Sequence, residues 1–168
     1  MRLREFGLYL PTASKEVRSA FQDQTRCVAA LYERCFPRLD VDGGWKVLIE
    51  CVPVVTRADV RNLGGVFTAQ HRFDSDAFFR NPDKGDKKRM ALEVLQAGVA
   101  DVCSRQKWKK EPFSEAYRCV RENNYVNQWR WPKTSKWNPG RTHHASLTCD
   151  HDIDKVSSLD RCRRQAWR

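Results

Sequence analysis

The chain has 168 residues, of which 40% are hydrophobic and 31% are charged, and Lys and Arg outnumber Asp and Glu by 31 to 21 for a net charge of +10. This length suits one domain, and six Trp with eight Phe give more aromatic surface than a disordered chain carries. The longest apolar runs, such as residues 52–55, are much shorter than the roughly 20 residues that cross a bilayer, so no membrane span is predicted.

The first third of the chain is predicted to form a strand, a long helix and another strand. Residues 2–10 alternate loosely and stop at Pro11, which is typical of a strand. From Ser14, an N-cap residue type, apolar side chains recur every three or four positions up to Cys35, which predicts an amphipathic helix. Residues 45–52 are rich in β-branched side chains and favour a second strand.

The middle of the chain continues with a strand and two helices. Residues 66–73 alternate and are expected to lie beside the preceding strand, whereas residues 56–62 fit a helical turn or a long loop. A stripe of apolar residues after Asp83 predicts a second helix. A third and shorter helix, with a basic polar face, is expected to begin near Pro112.

The last third returns to a period of two. Residues 126–131 and 142–153 alternate around a turn at residues 138–140, which predicts a β-hairpin or meander. The order β-α-β-β-α-α-β-β predicts an α+β fold, with a mostly antiparallel sheet and about three helices packed on one face. No repeat or linker divides the chain. Residues 1–154 are therefore predicted to form one domain, and residues 155–168 a basic C-terminal edge strand or tail.

The cysteines bear on the cellular location. There are seven, without a CxxC pair, and residues 1–6 lack the apolar stretch of an export signal. Both observations favour free thiols in a reducing environment, and so a cytoplasmic protein. Cys27, Cys35, Cys51 and Cys103 lie in apolar periodic stretches, where cysteine acts as a small hydrophobic residue. A zinc site is the less favoured interpretation.

Aromatic and basic residues alternate between residues 129 and 141. The predicted binding residues are Trp129, Arg130, Trp131, Lys133, Lys136, Trp137 and Arg141. Trp and Arg are enriched at the energetic centres of protein interfaces, so the stretch predicts a protein-binding surface. Trp stacking beside cations that neutralise phosphates also fits nucleic acid, which is the alternative function. A third interpretation turns Trp129 and Trp131 into the core and leaves Arg130 outside.

Enzymatic chemistry has one weak candidate. His144, Asp150 and Asp152 share one face of a predicted strand and could bind a metal ion for hydrolysis. The same pattern is typical of an ordinary solvated strand face, which is the preferred interpretation. Neither a GxGxxG nor a GxxxxGK[ST] element occurs, so nucleotide binding by those loops has no support. No catalytic residue, metal ligand or cofactor is predicted.

Five stretches together resemble a known group of proteins. They are Phe73–Phe79, Lys87–Gly98, Phe113–Tyr117, Lys136–Pro139 and His151–Asp154. Their pattern resembles small bacterial proteins that include immunity proteins of contact-dependent and other polymorphic toxin systems, over roughly residues 45–154. The resemblance transfers no functional residue, and residues 156–168 depart from the regular final strand expected of the group.

The resemblance implies a stoichiometric binder that blocks a toxin domain. The surface of that toxin would be acidic, or otherwise complementary to a basic inhibitor. Immunity proteins that cover nuclease centres often imitate the anionic substrate, and a net charge of +10 has the wrong sign for this. The charge therefore favours a toxin that is not a nuclease, or a site away from the nuclease centre.

Overall fold

The computed structural model describes the backbone of residues 1–37, 39–130, 136–137, 140 and 143–164, and their side chains except at 136–137, 144–145 and 159–164. The helices are α1 (Lys15–Cys35), α2 (Ser75–Arg80), α3 (Lys84–Gln106) and α4 (Glu111–Glu122). The strands are β1 (Arg2–Leu3), β2 (Glu5–Tyr9), β3 (Leu39–Asp40), β4 (Lys46–Val52), β5 (Arg61–Leu63), β6 (Val66–Arg72), β7 (Gln128–Arg130), β8 (Lys136–Trp137), β9 (His143–His151) and β10 (Val156–Arg164). Together they form the single α+β domain that the sequence predicts.

The main sheet has the strand order β2-β4-β6-β5. β2, β4 and β6 run parallel, and β5 pairs antiparallel with β6 at one edge. The parallel direction follows from the connection, because α1 carries the chain from the end of β2 back to the start of β4. In this strand order β2 lies at the other edge of the sheet.

The expected antiparallel sheet is found only in part. The second sheet pairs β10, β9 and β7 in order, with β8 also on β9, and all of these pairings are antiparallel. The three parallel strands of the main sheet depart from the expectation. The reason is that α1 is a crossover between parallel strands, whereas the prediction treated it as a helix packed on an antiparallel sheet.

The long helices begin where the sequence places them. The Ser14 hydroxyl accepts a hydrogen bond from the N–H of Val17 at 3.3 Å, and the Asp83 carboxylate accepts one from the N–H of Asp86 at 2.7 Å. The short helix α2 was not predicted, and Asp74 caps it. Within the described residues, no helix is long and apolar enough to span a membrane.

The core lies between one face of the main sheet and the helices. Phe6 in β2, Val47 and Ile49 in β4, and Phe67 in β6 share this face and are at most 3% exposed. They pack against α1 and α3, whose apolar stripes the sequence pattern identifies. Burial of this apolar surface is the main stabilising contribution.

Gly98 lets α3 approach the main sheet closely. A Cβ atom at this position would lie 2.6 Å from Cδ1 of Ile49 and 2.7 Å from its Cγ1 and Cγ2. Atoms that close overlap, so only a residue without a side chain allows the present spacing of helix and sheet.

Gly98→Val is expected to lower the free energy of unfolding by about 1–3 kcal/mol, because it overpacks this contact. Chemical denaturation measures the change. Ile49→Ala opens a cavity next to Gly98, so the two substitutions combined should cost less than the sum of the single losses. Fully additive losses would contradict the direct contact of Gly98 with Ile49.

The structure corrects the interpretation of the cysteines. Cys35, at the end of α1, forms a disulfide with Cys119 in α4, so the expectation of free thiols is wrong for this pair. Packing of α1 against α4 brings their Cα atoms within 5.8 Å, which sequence spacing does not reveal. Cys27, Cys51 and Cys103 are free and buried, which confirms their role as small hydrophobic residues. Burial raises the pKa of Cys27 to about 11 and those of Cys51 and Cys103 to about 12, so these thiols are unreactive.

Candidate functional site

The structure describes only part of the predicted binding stretch. Trp129 and Arg130 belong to β7, and the backbone of Lys136 and Trp137 forms β8 beside β9. Three of the predicted residues lie outside the described part of the chain, and these are Trp131, Lys133 and Arg141. The geometry of a candidate site therefore depends on Trp129, Arg130 and their neighbours.

Polar contacts hold the second sheet against α1 and α3. Asn127, which is 1% exposed and precedes β7, donates its Nδ2 to the carbonyl oxygen of Cys27 at 2.7 Å. Its own carbonyl accepts a hydrogen bond from the N–H of His151 at 3.0 Å. Lys88 of α3 forms an ion pair with Asp152 at 2.7 Å. These contacts fix the position of β7 relative to α1.

Trp129 faces the helix layer. It lies opposite Cys149 in the pairing of β7 with β9, and the guanidinium carbon of Arg34 in α1 is 4.6 Å from its ring centroid. This is a cation–π contact, and it covers one face of the indole ring. Trp129 remains half-buried, while Arg34 and Arg130 are exposed.

Arg34 and the indole of Trp129 lie on one side of β7, and Arg130 is the next residue of this strand and points to its other side. We call these three residues together the Trp129 surface. Neither arginine makes an ion pair with a described residue, so each guanidinium group can donate two hydrogen bonds to a carboxylate of another molecule. The indole adds rigid apolar contact area beside Arg34. The combination suits a complementary surface that carries carboxylates and apolar side chains.

His151 adds no positive charge to this surface at neutral pH. Burial lowers its pKa below the usual histidine value, and the nearby cations Arg26 and Arg34 lower it further. The ring is therefore neutral under physiological conditions. The charge of the Trp129 surface comes from its two arginines.

The predicted metal candidates are engaged in other contacts. Asp152 pairs with Lys88, a hydrogen bond that lowers the pKa of this carboxylate, and Asp150 accepts a hydrogen bond from Gln128 at 3.1 Å. The side chain of His144 lies outside the described residues. Among the residues that are described, no group of three or more His, Cys, Asp or Glu could hold a metal ion.

A groove of about 780 Å³ is lined by residues of β2, β4 and α1. Its charged lining residues are Arg4, Arg26 and Lys46, together with Glu5, Asp23 and Glu33. The Glu33 carboxylate accepts a hydrogen bond from the N–H of Phe6 at 3.0 Å, and Arg26 donates two bonds of 2.8 Å to the same carboxylate. The groove thus combines residues of β2 and β4 with charged side chains of α1.

The sequence pattern does not predict this groove. Strand order decides which strand lies at an edge, and alternation of side chains does not reveal that order. One signal was present: Arg26 and Glu33 are seven residues apart, which places opposite charges on one face of α1 two turns apart.

No family model matches this chain, and neither a curated protein nor a solved structure matches it.

Proposed function

We propose that this protein is a non-catalytic module that binds a protein partner through the Trp129 surface. The contact of Arg34 with Trp129 carries the proposal, and Arg130, the next residue of β7, is exposed. Trp and Arg are the residue types that most often dominate binding energy at protein interfaces. The hydrogen bond of Asn127 and the ion pair of Lys88 with Asp152 hold β7 in place. The backbone that carries Trp129 and Arg130 therefore needs little ordering when a partner binds.

A protein partner fits this geometry better than a nucleic acid. Base stacking on tryptophan needs an open ring face, and because Arg34 occupies one of the two faces of Trp129, at most one face is left for a base. Lys84 and Lys88, which could neutralise phosphates near the second sheet, are paired with Asp154 and Asp152. The two free arginines instead suit carboxylates on a folded partner.

The finer proposal is that the partner is a bacterial toxin domain which this protein neutralises. It rests on the resemblance to immunity proteins of polymorphic toxin systems and on the absence of a catalytic motif from the sequence. The surface of such a toxin would be acidic where it meets Arg34 and Arg130. The toxin would be blocked away from a nucleic-acid site, since a basic inhibitor does not imitate a polyanion.

The cellular location is part of the proposal. The cysteine pattern predicts a cytoplasmic protein, whereas the disulfide between Cys35 and Cys119 weighs against that location. Disulfides persist mainly in oxidising compartments and are rare in the cytosol. The number of free thiols in protein taken from its native host distinguishes the two locations.

The Trp129 surface is expected to retain one protein at close to equimolar amount in a pull-down from the native host, quantified by mass spectrometry. Arg34→Ala combined with Arg130→Ala should abolish retention, because the paired carboxylates of the partner lose their donors. Arg61→Ala is the matched control, since this arginine is 60% exposed on β5 at the far edge of the main sheet.

Two results would contradict the proposal. Equal retention by the double variant and the wild-type protein would exclude the Trp129 surface as the binding site. Recovery of RNA alone, with no protein at comparable amount, would support the nucleic-acid alternative.

The net charge of the chain is the observation that favours the nucleic-acid alternative. The chain carries +10, and its predicted contacts to nucleic acid lie within residues 129–141. Affinity for single-stranded RNA or DNA would then fall steeply with salt, because bound phosphates release counterions. Affinity no better than that of an unrelated protein of equal charge would exclude it.

A further inference from the structure

A cavity of about 290 Å³ lies at the carboxyl ends of β4 and β6. It is lined by Val55 and residues 57–59 of the loop after β4, by residues 69–72 of β6, and by Asp101 and Arg105 of α3. In open sheets of parallel strands, ligands bind outside the carboxyl ends of the strands. Cavities for small ligands begin at about 300 Å³, so the size of this one fits a small group.

The loop that forms one wall of the cavity is held in place. Oε1 of Gln70 accepts hydrogen bonds from the N–H groups of Thr56 and Arg57, both at 3.0 Å. Arg57 also forms an ion pair of 2.8 Å with Glu50, which neutralises its charge, and its side chain is only 10% exposed. The wall is therefore formed before a ligand arrives, and binding does not have to order it.

The two carboxylates that line the cavity each lie close to a nitrogen of another side chain. Asp59 is 3.4 Å from Nε of Arg61, and Asp101 is 3.6 Å from Nδ1 of His71. The other ring nitrogen of His71, Nε2, has no partner among the described residues and is free to bind a ligand. In its protonated form the ring offsets Asp101 and donates a hydrogen bond to an anion.

Two arginines supply the positive charge that remains. Arg72 in β6 and Arg105 in the last turn of α3 are exposed, and neither forms an ion pair with a residue that the structure describes. A guanidinium group donates two parallel hydrogen bonds to a carboxylate or a phosphate. Two free cations balance a phosphate monoester, whose charge is about −1.5 to −2 at pH 7. A carboxylate would leave one of them without a counter-charge.

The main chain of β6 provides a further donor. The N–H of Phe73 points towards β4, because it bonds to the carbonyl of Val52 at 2.8 Å. Main-chain groups alternate in direction along a strand, so the N–H of Arg72 points away from β4. β5 does not cover it, since β5 pairs with β6 only as far as Thr68. Within the described part of the chain this N–H has no acceptor, and an oxygen of a bound anion can fill that role.

A second cavity, of about 440 Å³, adjoins the first at the end of β6. His71 and Arg72 line both cavities. The apolar side chains of Met90, Val94 and Ala97 form part of the second one. Its charged lining residues already have hydrogen-bond partners, and these are Asp74, Arg89 and Glu93. An organic group attached to a phosphate in the first cavity would lie against the apolar side chains of the second.

We propose that the two adjoining cavities bind a small phosphate monoester with an apolar organic group. Arg72 and Arg105 hold the phosphate oxygens, and Nε2 of His71 and the N–H of Arg72 donate further hydrogen bonds. The organic group packs against Met90 and Val94. This phosphate site shares no residue with the Trp129 surface and does not depend on the proposed partner.

Titration of the full chain with inorganic phosphate and with phenyl phosphate tests the site. Two-dimensional NMR at constant ionic strength is expected to show saturable shifts of the amide signals of Arg72, Asp101 and Arg105. Phenyl phosphate should bind at least about threefold more tightly than inorganic phosphate, because its ring buries apolar surface. Shifts that do not saturate, or that spread over basic residues throughout the chain, would overturn the proposal. Equal affinity for the two ligands would refute the place assigned to the organic group.

Arginine variants separate the site from the general attraction of a basic protein for anions. Arg72→Ala with Arg105→Ala should raise the Kd for phenyl phosphate by about tenfold or more, because charge-assisted hydrogen bonds to the phosphate are lost. Arg2→Ala with Arg118→Ala is the matched control, since it removes the same charge from two exposed positions outside both cavities. The NMR spectrum shows whether each variant is folded. An equal rise in Kd for the two double variants would mean that only net charge matters and would refute the site.

Two further ligands test the chemical class. Benzoate carries the same ring with a single negative charge and should bind about tenfold more weakly than phenyl phosphate. Benzoate that binds as tightly would identify a carboxylate site instead. A tetrapeptide with one phosphoserine presents the phosphate on a polypeptide and should bind more weakly than phenyl phosphate, since its backbone does not fit the apolar part of the site. Tighter binding of the peptide would indicate a phosphorylated protein as the ligand and overturn the small-molecule proposal.

Discussion

Replacing Phe21 by alanine is expected to lower the free energy of unfolding by about 3–5 kcal/mol. The side chain is 0% exposed, and its ring contacts Phe73, Phe78 and Phe79 at centroid distances of 5.5, 5.3 and 6.3 Å. Truncation removes buried apolar surface and leaves a cavity that three rigid rings cannot fill. Because domains are stable by only about 5–15 kcal/mol, one substitution removes a large fraction of the total.

Urea denaturation followed by circular dichroism measures this loss. Phe21→Leu keeps most of the volume and should cost clearly less than Phe21→Ala. Val17→Ala, one turn earlier on α1 at a position that is 42% exposed, should change stability by less than about 0.5 kcal/mol. Equal losses for Phe21→Ala and Val17→Ala would contradict the placement of Phe21 in the core.

Elements with strong local signals could be predicted from the sequence. α1 combines an N-cap at Ser14 with apolar residues at helical spacing, and α3 combines Asp83 with a similar stripe. These signals depend on residues within a few turns of each other. Helix α2 is only six residues long, too short to show a helical period, and it was missed for that reason.

The direction of the strands could not be predicted in the same way. Alternation identifies which side chains of β2 and β4 face the core, and it is the same for parallel and antiparallel neighbours. Direction depends on how α1 connects the two strands in space. A helix of 21 residues between two strands is long enough for a parallel crossover, which was the available clue.

The residue types of the candidate site could be predicted from the sequence, but their arrangement in space could not. Trp129 and Arg130 stand next to each other in the sequence, so their composition indicated a binding surface. Arg34 is far from them along the chain, and only the docking of the second sheet onto α1 brings it to the indole ring. The groove beside β2 is likewise a product of strand order.

α1 contributes residues to the Trp129 surface, to the groove and to the disulfide. Arg34 reaches the Trp129 surface, Arg26 and Glu33 line the groove, and Cys35 at the end of the helix is bonded to α4. A change in the position of this helix would therefore affect both the Trp129 surface and the groove. The disulfide is the covalent restraint on its C-terminal end.

Removing the disulfide by Cys35→Ser with Cys119→Ser is expected to lower the free energy of unfolding by about 2–4 kcal/mol. The bridge joins residues that are 84 positions apart, so it removes many conformations from the unfolded chain. Chemical denaturation measures the effect when three samples are compared: the oxidised wild-type protein, the reduced wild-type protein and the double variant. Cys149→Ser is the control, because this cysteine is free and only partly buried.

The reduced wild-type protein should match the double variant, and the oxidised protein should be more stable than both. Denatured protein from the native host should also show two fewer reactive thiols before reduction than after it. If the host protein shows the same number in both assays, Cys35 and Cys119 are reduced in the cell, and the cytoplasmic location predicted from the cysteine pattern is supported. Two missing thiols would instead indicate an oxidising compartment, because the glutathione pool of the cytosol keeps most protein thiols reduced. A partner of the Trp129 surface would then have to be sought in that compartment.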